Sequence, residues 1–462
     1  MIFNLRAAIM TVVGLVCFGV AIRRPHKGLL LLAILYFFRP DLWGAETWCR
    51  PTLWVTLAVL IGTLFDAGAK DAPHGRAPGE PARTGVALRW LGPILIMYFA
   101  SILSGPLFGE QGMMFLQEIY KIFIVAFLIV RLCDTPAKLA AFLMAVLVGS
   151  LWYAKVCVLG WAMMGFADAV RIDTAAGQGG GSNHIAWALS VMLAPILYLV
   201  FKGQGWRRTA AIAAFGFYVV AIVATGSRGG LVCMAVAVVV TMIAMRRTLW
   251  LVAMALLLAM AIPLVSAARV ERAETLTLDP AKMDASMLSR YQNMVIGTQI
   301  IADNPLFGTG LGSFPFAKRK YIRYDYAGEL YHVAHNTYIQ MGAELGLPFL
   351  AFFLAMNVFV LRYLLLRPRR GLSDEDQQRM DWVRISMLGA LAATLVNMIK
   401  SDMARWDLFW WIYAMALAYH SVRVRYEARS AVSPAVSQAA DPPQRSKSGR
   451  FQPAAEPAMT RS

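Results

Sequence analysis

Charge is what this sequence has least of. Only 15% of its 462 residues are Asp, Glu, Lys or Arg and 58% are hydrophobic, whereas soluble domains carry about 25% charged and roughly 45 to 50% apolar residues. That deficit excludes an ordinary water-soluble globule, because such a chain needs lipid as its solvent. Strand-like alternation is missing as well. A barrel strand must alternate between a lipid face and a lumen face, and the apolar runs here do not, which excludes a transmembrane barrel. The fold class is therefore all-α: a polytopic integral membrane helical bundle.

Cysteine is nearly absent too. Cys17, Cys49, Cys133, Cys157 and Cys233 are scattered, with no C-x-x-C pair, so neither a disulfide framework nor a thiol metal site is expected. No A-x-A-like cleavage site follows the first apolar run, and Arg23, Arg24 and Lys27 come at once; a retained span is expected there, not a signal peptide.

What is present is a series of apolar runs about 17 to 25 residues long, enough to cross a hydrocarbon core as helices. They are read near residues 7–22, 28–44, 52–66, 88–104, 113–131, 137–160, 184–201, 209–225, 229–245, 248–267, 336–361, 383–400 and 406–420. This predicts about 12 to 13 transmembrane helices and one large, partly helical extracytoplasmic loop.

The formal charge of +17 is distributed in a way that argues against nucleic acid. Basic residues gather in alternate loops, around Arg23–Lys27, Lys70–Arg89, Arg131–Lys138, Lys202–Arg208, Arg246–Arg247 and Arg362–Arg370, while the intervening short loops carry few. That is the positive-inside pattern, and it puts the basic loops in the cytoplasm. The organisation read from it is a bundle over 1–267, an extracytoplasmic loop over 268–335, further spans over 336–420 and a disordered, basic cytoplasmic tail over 421–462. Membrane lipid is the surrounding partner, and the tail is placed on anionic head groups.

Within the loop, DASMLSRYQNMVIGTQIIADNP offers Asp284 as an N-cap, a stripe of Met287, Tyr291, Met294, Thr298 and Ile301, and Pro305 as a stop, which predicts a helix near 285–302. Arg290 borders the stripe and reads either as directed along the membrane surface or into the bundle, or as solvated. The following FGTGLGSF, with Gly308, Gly310 and Gly312, lacks the preceding strand of a dinucleotide site and reads as a tight turn.

Three outer-face features carry possible chemistry. In TGSRGG, residues 225–230, Arg228 sits between two apolar spans. An arginine there marks a functional site by default, with snorkelling to head groups as the plain alternative. Arg290 is the second feature. The third is His335 followed by Asn336 where the loop becomes a span: a general base near neutral pH or an interfacial cap. His332 and His335 also form an H-x-x-H pair, but neither an H-E-x-x-H nor a cysteine partner supports zinc, so no metal and no cofactor is expected. Glu118 and Lys121, at i and i+3, are read as a possible pair within one helix. Two arginines and a histidine on one outer face suit a lipid diphosphate: the guanidinium forks grip phosphate oxygens and neutralise a departing pyrophosphate, while the imidazole takes an acceptor proton.

These motifs resemble a known family. TGSRGG, then SRYQNMVIGTQIIADNPLFGTGLGSF, then HNTYIQMGAELGLPF are similar to the O-antigen ligase and polymerase superfamily over roughly residues 180–360. SNHIA, residues 182–186, resembles the family's Asn-containing start of an earlier span, with Ser182 where the family usually has proline. YFFRPDLWG, residues 36–44, resembles ligase-like proteins found beside exosortase and exopolysaccharide loci. The resemblance implies a metal-independent glycosyltransferase of the bacterial inner membrane with its site facing the periplasm. It implies an undecaprenyl-diphosphate-linked glycan donor and a glycan, lipid or protein acceptor. Carried over by residue, Arg228 and Arg290 bind the diphosphate and His335 activates the acceptor; Asn183 and Asn336 stand as further substrate-binding candidates. A polymerase of the same superfamily and a lipid-linked glycan flippase are the alternatives, although neither inverted repeats nor paired helix breaks, the marks of many transporters, are visible.

Overall fold

The computed structural model describes residues 5–38, 51–70, 85–104, 110–165, 181–250, 279, 283, 285–322, 332–366 and 372–440. Most of the expected span at 248–267, the proposed cap Asp284, most of YFFRPDLWG and the chain beyond Ala440 lie outside them. Among the described residues all regular structure is helical: α1 (Leu5–Arg23), α2 (Pro25–Phe38), α3 (Pro51–Lys70), α4 (Gly85–Ser104), α5 (Glu110–Leu132), α6 (Pro136–Met163), α7 (Ser182–Lys202), α8 (Trp206–Ala224), α9 (Arg228–Ala244), α10 (Ala285–Asp303), α11 (Phe314–Ala317), a 3-10 turn (Lys318–Lys320), α12 (Thr337–Leu345), α13 (Leu347–Leu365), α14 (Asp374–Met398) and α15 (Asp407–Ala440).

Helices α4, α6, α7, α8 and α13 are each long and apolar enough to cross a membrane. The protein is a multi-pass helical membrane protein. Local chemistry sets several of the helix starts. Thr135 caps α6 with Pro136 behind it, Ser227 caps α9 and Ser373 caps α14 ahead of Asp374, Glu375 and Asp376; each hydroxyl accepts an otherwise orphaned N–H, and the acids complement the helix dipole.

The centre of the bundle is α7, buried nearly all round from Ile185 to Tyr198, held between α9 and α14. Small residues allow this closeness, as is usual where apolar attraction between helices is weak in lipid. A Cβ on Gly389 of α14 would run into Thr241 of α9 and Ala194 of α7, and one on Gly230 of α9 into Ala186 of α7. Polar bonds add register: Trp187 Nε1 donates to Thr394 Oγ1 at 3.1 Å and Trp382 Nε1 to the Pro195 carbonyl at 3.1 Å. Tyr413 donates to Asn357 Oδ1 at 2.6 Å inside a cluster of Phe353, Phe409 and Trp410.

Four expectations are corrected. The span read over 336–361 is two helices, broken at Gly346, whose φ of +85° favours glycine. The break is where Pro305–Phe307 docks, with Leu347 N donating to the Pro305 carbonyl at 2.7 Å. Second, the chain does not turn irregular at Ser421: α15 runs on to Ala440, and Ser421, Arg423 and Arg425 are buried. Arg425 is anchored by a 3.0 Å bond to the Asp134 carbonyl, so Arg423 and Arg425 are packed side chains, while Arg429 is exposed. Third, α10 buries Ser289, Asn293, Ile296 and Ile300, nearly the opposite face to the stripe of Met287, Tyr291, Met294, Thr298 and Ile301. Ile296 and Ile300 join Phe314, Ala317, Ala334 and Ala343 in a small apolar core, while Tyr291 and Thr298 of the stripe are exposed. Fourth, Glu118 pairs with Arg405 at 2.8 Å, not with Lys121.

Candidate functional site

Four segments meet at one end of the bundle: the start of α7, the α8–α9 turn, the chain around His335 leading into α12, and the α14–α15 turn. Ser227 Oγ accepts from Gly230 N at 3.0 Å and donates to Asn183 Oδ1 at 2.6 Å. One hydroxyl thus caps α9 and ties it to the first turn of α7, beside Arg228. His184, next on α7, stacks on Trp406 with ring centroids 4.3 Å apart, and its Nε2 lies 3.2 Å from the Asp402 carbonyl. Thr337 Oγ1 donates to the Ser401 carbonyl at 2.7 Å and accepts from Met403 N at 3.0 Å, fixing α12 to the same turn. In that turn Lys400 lies directly on the backbone of Gly229.

Arg290 reaches this place from α10. It is an electrostatic neighbour of His184, His335 and Lys400. Gly297, two turns further along α10, lets Ile339 of α12 press against the helix. The structure therefore gathers Arg290 and His335 with His184 and Lys400, and joins Arg228 and Asn183 to them through Ser227 and Gly229.

His335 is held in the left-handed region, φ +53°, a conformation that costs a non-glycine residue about 1 to 3 kcal/mol and gathers at functional sites. Its neighbours enforce it. Ala334 N donates to Gln340 Oε1 at 2.7 Å, and Asn336 Oδ1 accepts from Ile339 N at 3.1 Å as the cap of α12. The buried Asn336 oxygen is thus spent on the cap. Lys318, fully buried, donates to the His332 carbonyl at 2.9 Å.

Behind His335 runs a polar relay. Gln340 Nε2 donates to Glu344 Oε1 at 2.5 Å, and the Glu344 carboxyl oxygens also accept Gly312 N at 2.9 Å and Phe314 N at 3.1 Å. Glu344 thereby clamps the FGTGLGSF turn to α12, and Gln340 passes the constraint to the residue before His335. A small cavity beside the clamp is lined by Tyr98, Phe115, Gln340, Glu344, Asp402 and Arg405 among others.

Burial, followed by the charge of Arg290, then His332, His184 and Lys318, pushes the His335 imidazole down to about 4. It is uncharged at neutral pH, and every group acting on it is basic or an imidazole. The His332 and His335 rings stand 5.4 Å apart, edge to face, and among the described residues no third His, Cys, Asp or Glu completes a metal-binding group with them. A site rich in basic groups around a neutral base is suited to an anion and a hydroxyl.

Residues 212–354 match the family model described as O-Antigen ligase. The similarity to the O-antigen ligase superfamily is confined to this stretch. The stretch spans Arg228, Arg290 and His335, while His184 comes from α7 before it and Lys400 from the α14–α15 turn after it. No curated protein matches the chain. Sequence reading missed His184, Lys400 and the Gln340–Glu344 relay. Lys400, a lone cation at the end of an apolar run, carried the signal that would have found it.

Proposed function

We propose that this site transfers a glycan from undecaprenyl diphosphate to an acceptor hydroxyl on the outer face of the bacterial inner membrane. The observation that carries the reading is the convergence of Arg290, Lys400 and a neutral His335 on the segment that holds Arg228, within the O-antigen ligase domain. Arg228 and Arg290 hold the diphosphate, whose oxygens suit planar forks, and Lys400 adds a point charge beside them. Asn183, with Oδ1 held by Ser227, is placed to offer its amide N–H groups. Asn336 acts through the backbone it caps.

In the transfer, the acceptor oxygen attacks the anomeric carbon as the bond from that carbon to the diphosphate oxygen breaks. The electron pair leaves with the diphosphate, where the cations stabilise it. The acceptor proton passes to His335. Bound diphosphate offsets the positive field of Arg290 and Lys318 on the imidazole, so donor binding raises its basicity when a base is needed. This chemistry requires nothing beyond the side chains named. The positive-inside pattern supports the outward-facing placement.

The test uses purified protein in nanodiscs with lipid-linked glycan and candidate acceptors, without nucleotide or ion gradient. Free undecaprenyl diphosphate together with a glycan joined to a lipid or protein acceptor is expected. Extended glycan still on the lipid would instead assign the polymerase reaction. Movement of intact donor across the bilayer without bond exchange would replace transfer by transport.

A further inference from the structure

At the other end of the bundle, three buried nitrogen atoms have no hydrogen-bond partner among the described residues: Trp90 Nε1 on α4, and His420 Nδ1 and Arg423 Nη1 on α15. They lie along the seam where α4 and α15 meet α13, between the rings of Phe359 and Tyr363. The Phe359 ring lies 4.6 Å from that of Trp90 and 5.3 Å from that of His420; the Tyr363 ring lies 3.9 Å from His420 and 5.7 Å from the Arg423 guanidinium. A buried polar group without a partner costs about 1 to 3 kcal/mol, and more when charged. Trp and Arg nitrogens can only donate, so the seam calls for an acceptor, and the Arg423 charge calls for an anionic one.

The surrounding charge agrees. Arg423 and Arg89 act on His420 from two helices, and the acid acting with them is Glu427, which accepts from Arg423 Nε at 3.0 Å and leaves Nη1 unmet. His420 follows Asp407, the first residue of α15, by 13 positions, roughly 20 Å of helix. That separation sets the seam near the opposite membrane surface from Lys400 and His335. Tryptophan and arginine are characteristic of that level, and basic pockets between membrane helices take anionic head groups. Exposed Arg89 and half-buried Tyr363 form the rim that must shift to admit one.

We infer that the seam between α4, α13 and α15 binds the phosphate of an anionic phospholipid. The phosphate accepts from Arg423, Trp90 and a His420 tautomer protonated at Nδ1, and Arg89 closes over it.

The full chain in neutral detergent is titrated with short-chain phosphatidylglycerol, phosphatidylcholine or inorganic phosphate, with bound lipid counted by native mass spectrometry and stability followed by thermal shift. Phosphatidylglycerol is expected to bind and stabilise preferentially. Arg423→Gln should weaken that binding about tenfold or more and Arg89→Gln about fivefold. Equal binding of the two lipids, or unchanged phosphatidylglycerol affinity in both variants, overturns the proposal. So does inorganic phosphate that reproduces the whole stabilisation with the same variant dependence, since the ligand would then be a soluble anion. If Arg423→Gln does not fold, exposed Arg89 decides: undiminished affinity in Arg89→Gln overturns the site.

Discussion

Lys400 lies so close against Gly229 that a Cβ there would collide with its Nζ, Cε and Cδ. The glycine after Arg228 is thus explained by a lysine from a helix turn far along the chain, and the pair brings the amine beside SRGG. Because the colliding atoms are the free end of a flexible side chain, Gly229→Ala should displace the amine without unfolding the bundle. Transfer is expected to fall about tenfold or more, the scale of one lost charge-assisted bond to phosphate. Lys400→Gln should match it, and the double variant should be no worse than either. Full activity in Gly229→Ala would remove Lys400 from the site.

His335 offers a cleaner probe than alanine scanning usually allows. Asn is among the few residues that accept the left-handed region without much strain, so His335→Asn should keep the φ of +53° and lose only the base. A reduction of about 10²- to 10⁴-fold in turnover is expected, with stability close to wild type. Since burial and Arg290 hold the imidazole down to about 4, it stays neutral from pH 5 to 8. The profile of kcat/KM should therefore show no limb near 6.5 and fall only as pH drops toward 4. An acid limb at 6.5 that vanishes in His335→Asn would contradict the buried, cation-flanked setting.

The arginines test the mode of phosphate binding. Arg228→Ala and Arg290→Ala are each expected to lower transfer by about 10²- to 10³-fold. Lysine at either position should recover only part of this, because an ammonium is a point charge where guanidinium is a fork. Initial rates at saturating and limiting donor give the comparison, and wild-type rates in both lysine variants would rule out bidentate gripping.

What could be read in the sequence was mostly what local chemistry signals. Arg228 and Arg290 stood out because charge is rare in such a chain, His335 because a possible base sits where a loop becomes a span, and the turn at FGTGLGSF because its glycines punctuate it. Lys400 had a local mark as a lone cation ending an apolar run, but its place against Gly229, like that of His184 beside Trp406, comes from tertiary packing that no local pattern encodes. The buried face of α10 was misread because both sides of the helix carry apolar residues, and the side that packs, through Ile296 and Ile300, is chosen by Phe314 and Ala343 from other segments. The break at Gly346 was overlooked because the flanking residues form one apolar run, although Gly346 followed by Pro348 is a stop and a restart.

Glu344 should matter to stability as much as to activity. Burial raises its carboxyl to about 8, against the pull of the Gly312, Phe314 and Gln340 donors. The native protein therefore keeps it protonated at pH values where the unfolded chain, ionising near 4.5, has already released the proton. Unfolding sheds a proton between these limits, so this group makes the protein less stable as pH rises from about 4.5 to about 8, with no further change above. Glu344→Gln removes the slope but turns an N–H2 toward a backbone donor, leaving one of the three bonds unmade at a cost of about 1 to 3 kcal/mol. Because the clamp passes through Gln340 to Ala334 N, the variant should also loosen the strained conformation of His335 and lower turnover without weakening donor binding. Stability of both proteins in the same detergent at pH 5, 6.5 and 8, with donor KM and kcat at pH 7, checks the two halves. Parallel stability slopes in wild type and Glu344→Gln would show that the carboxyl is already ionised in the folded protein.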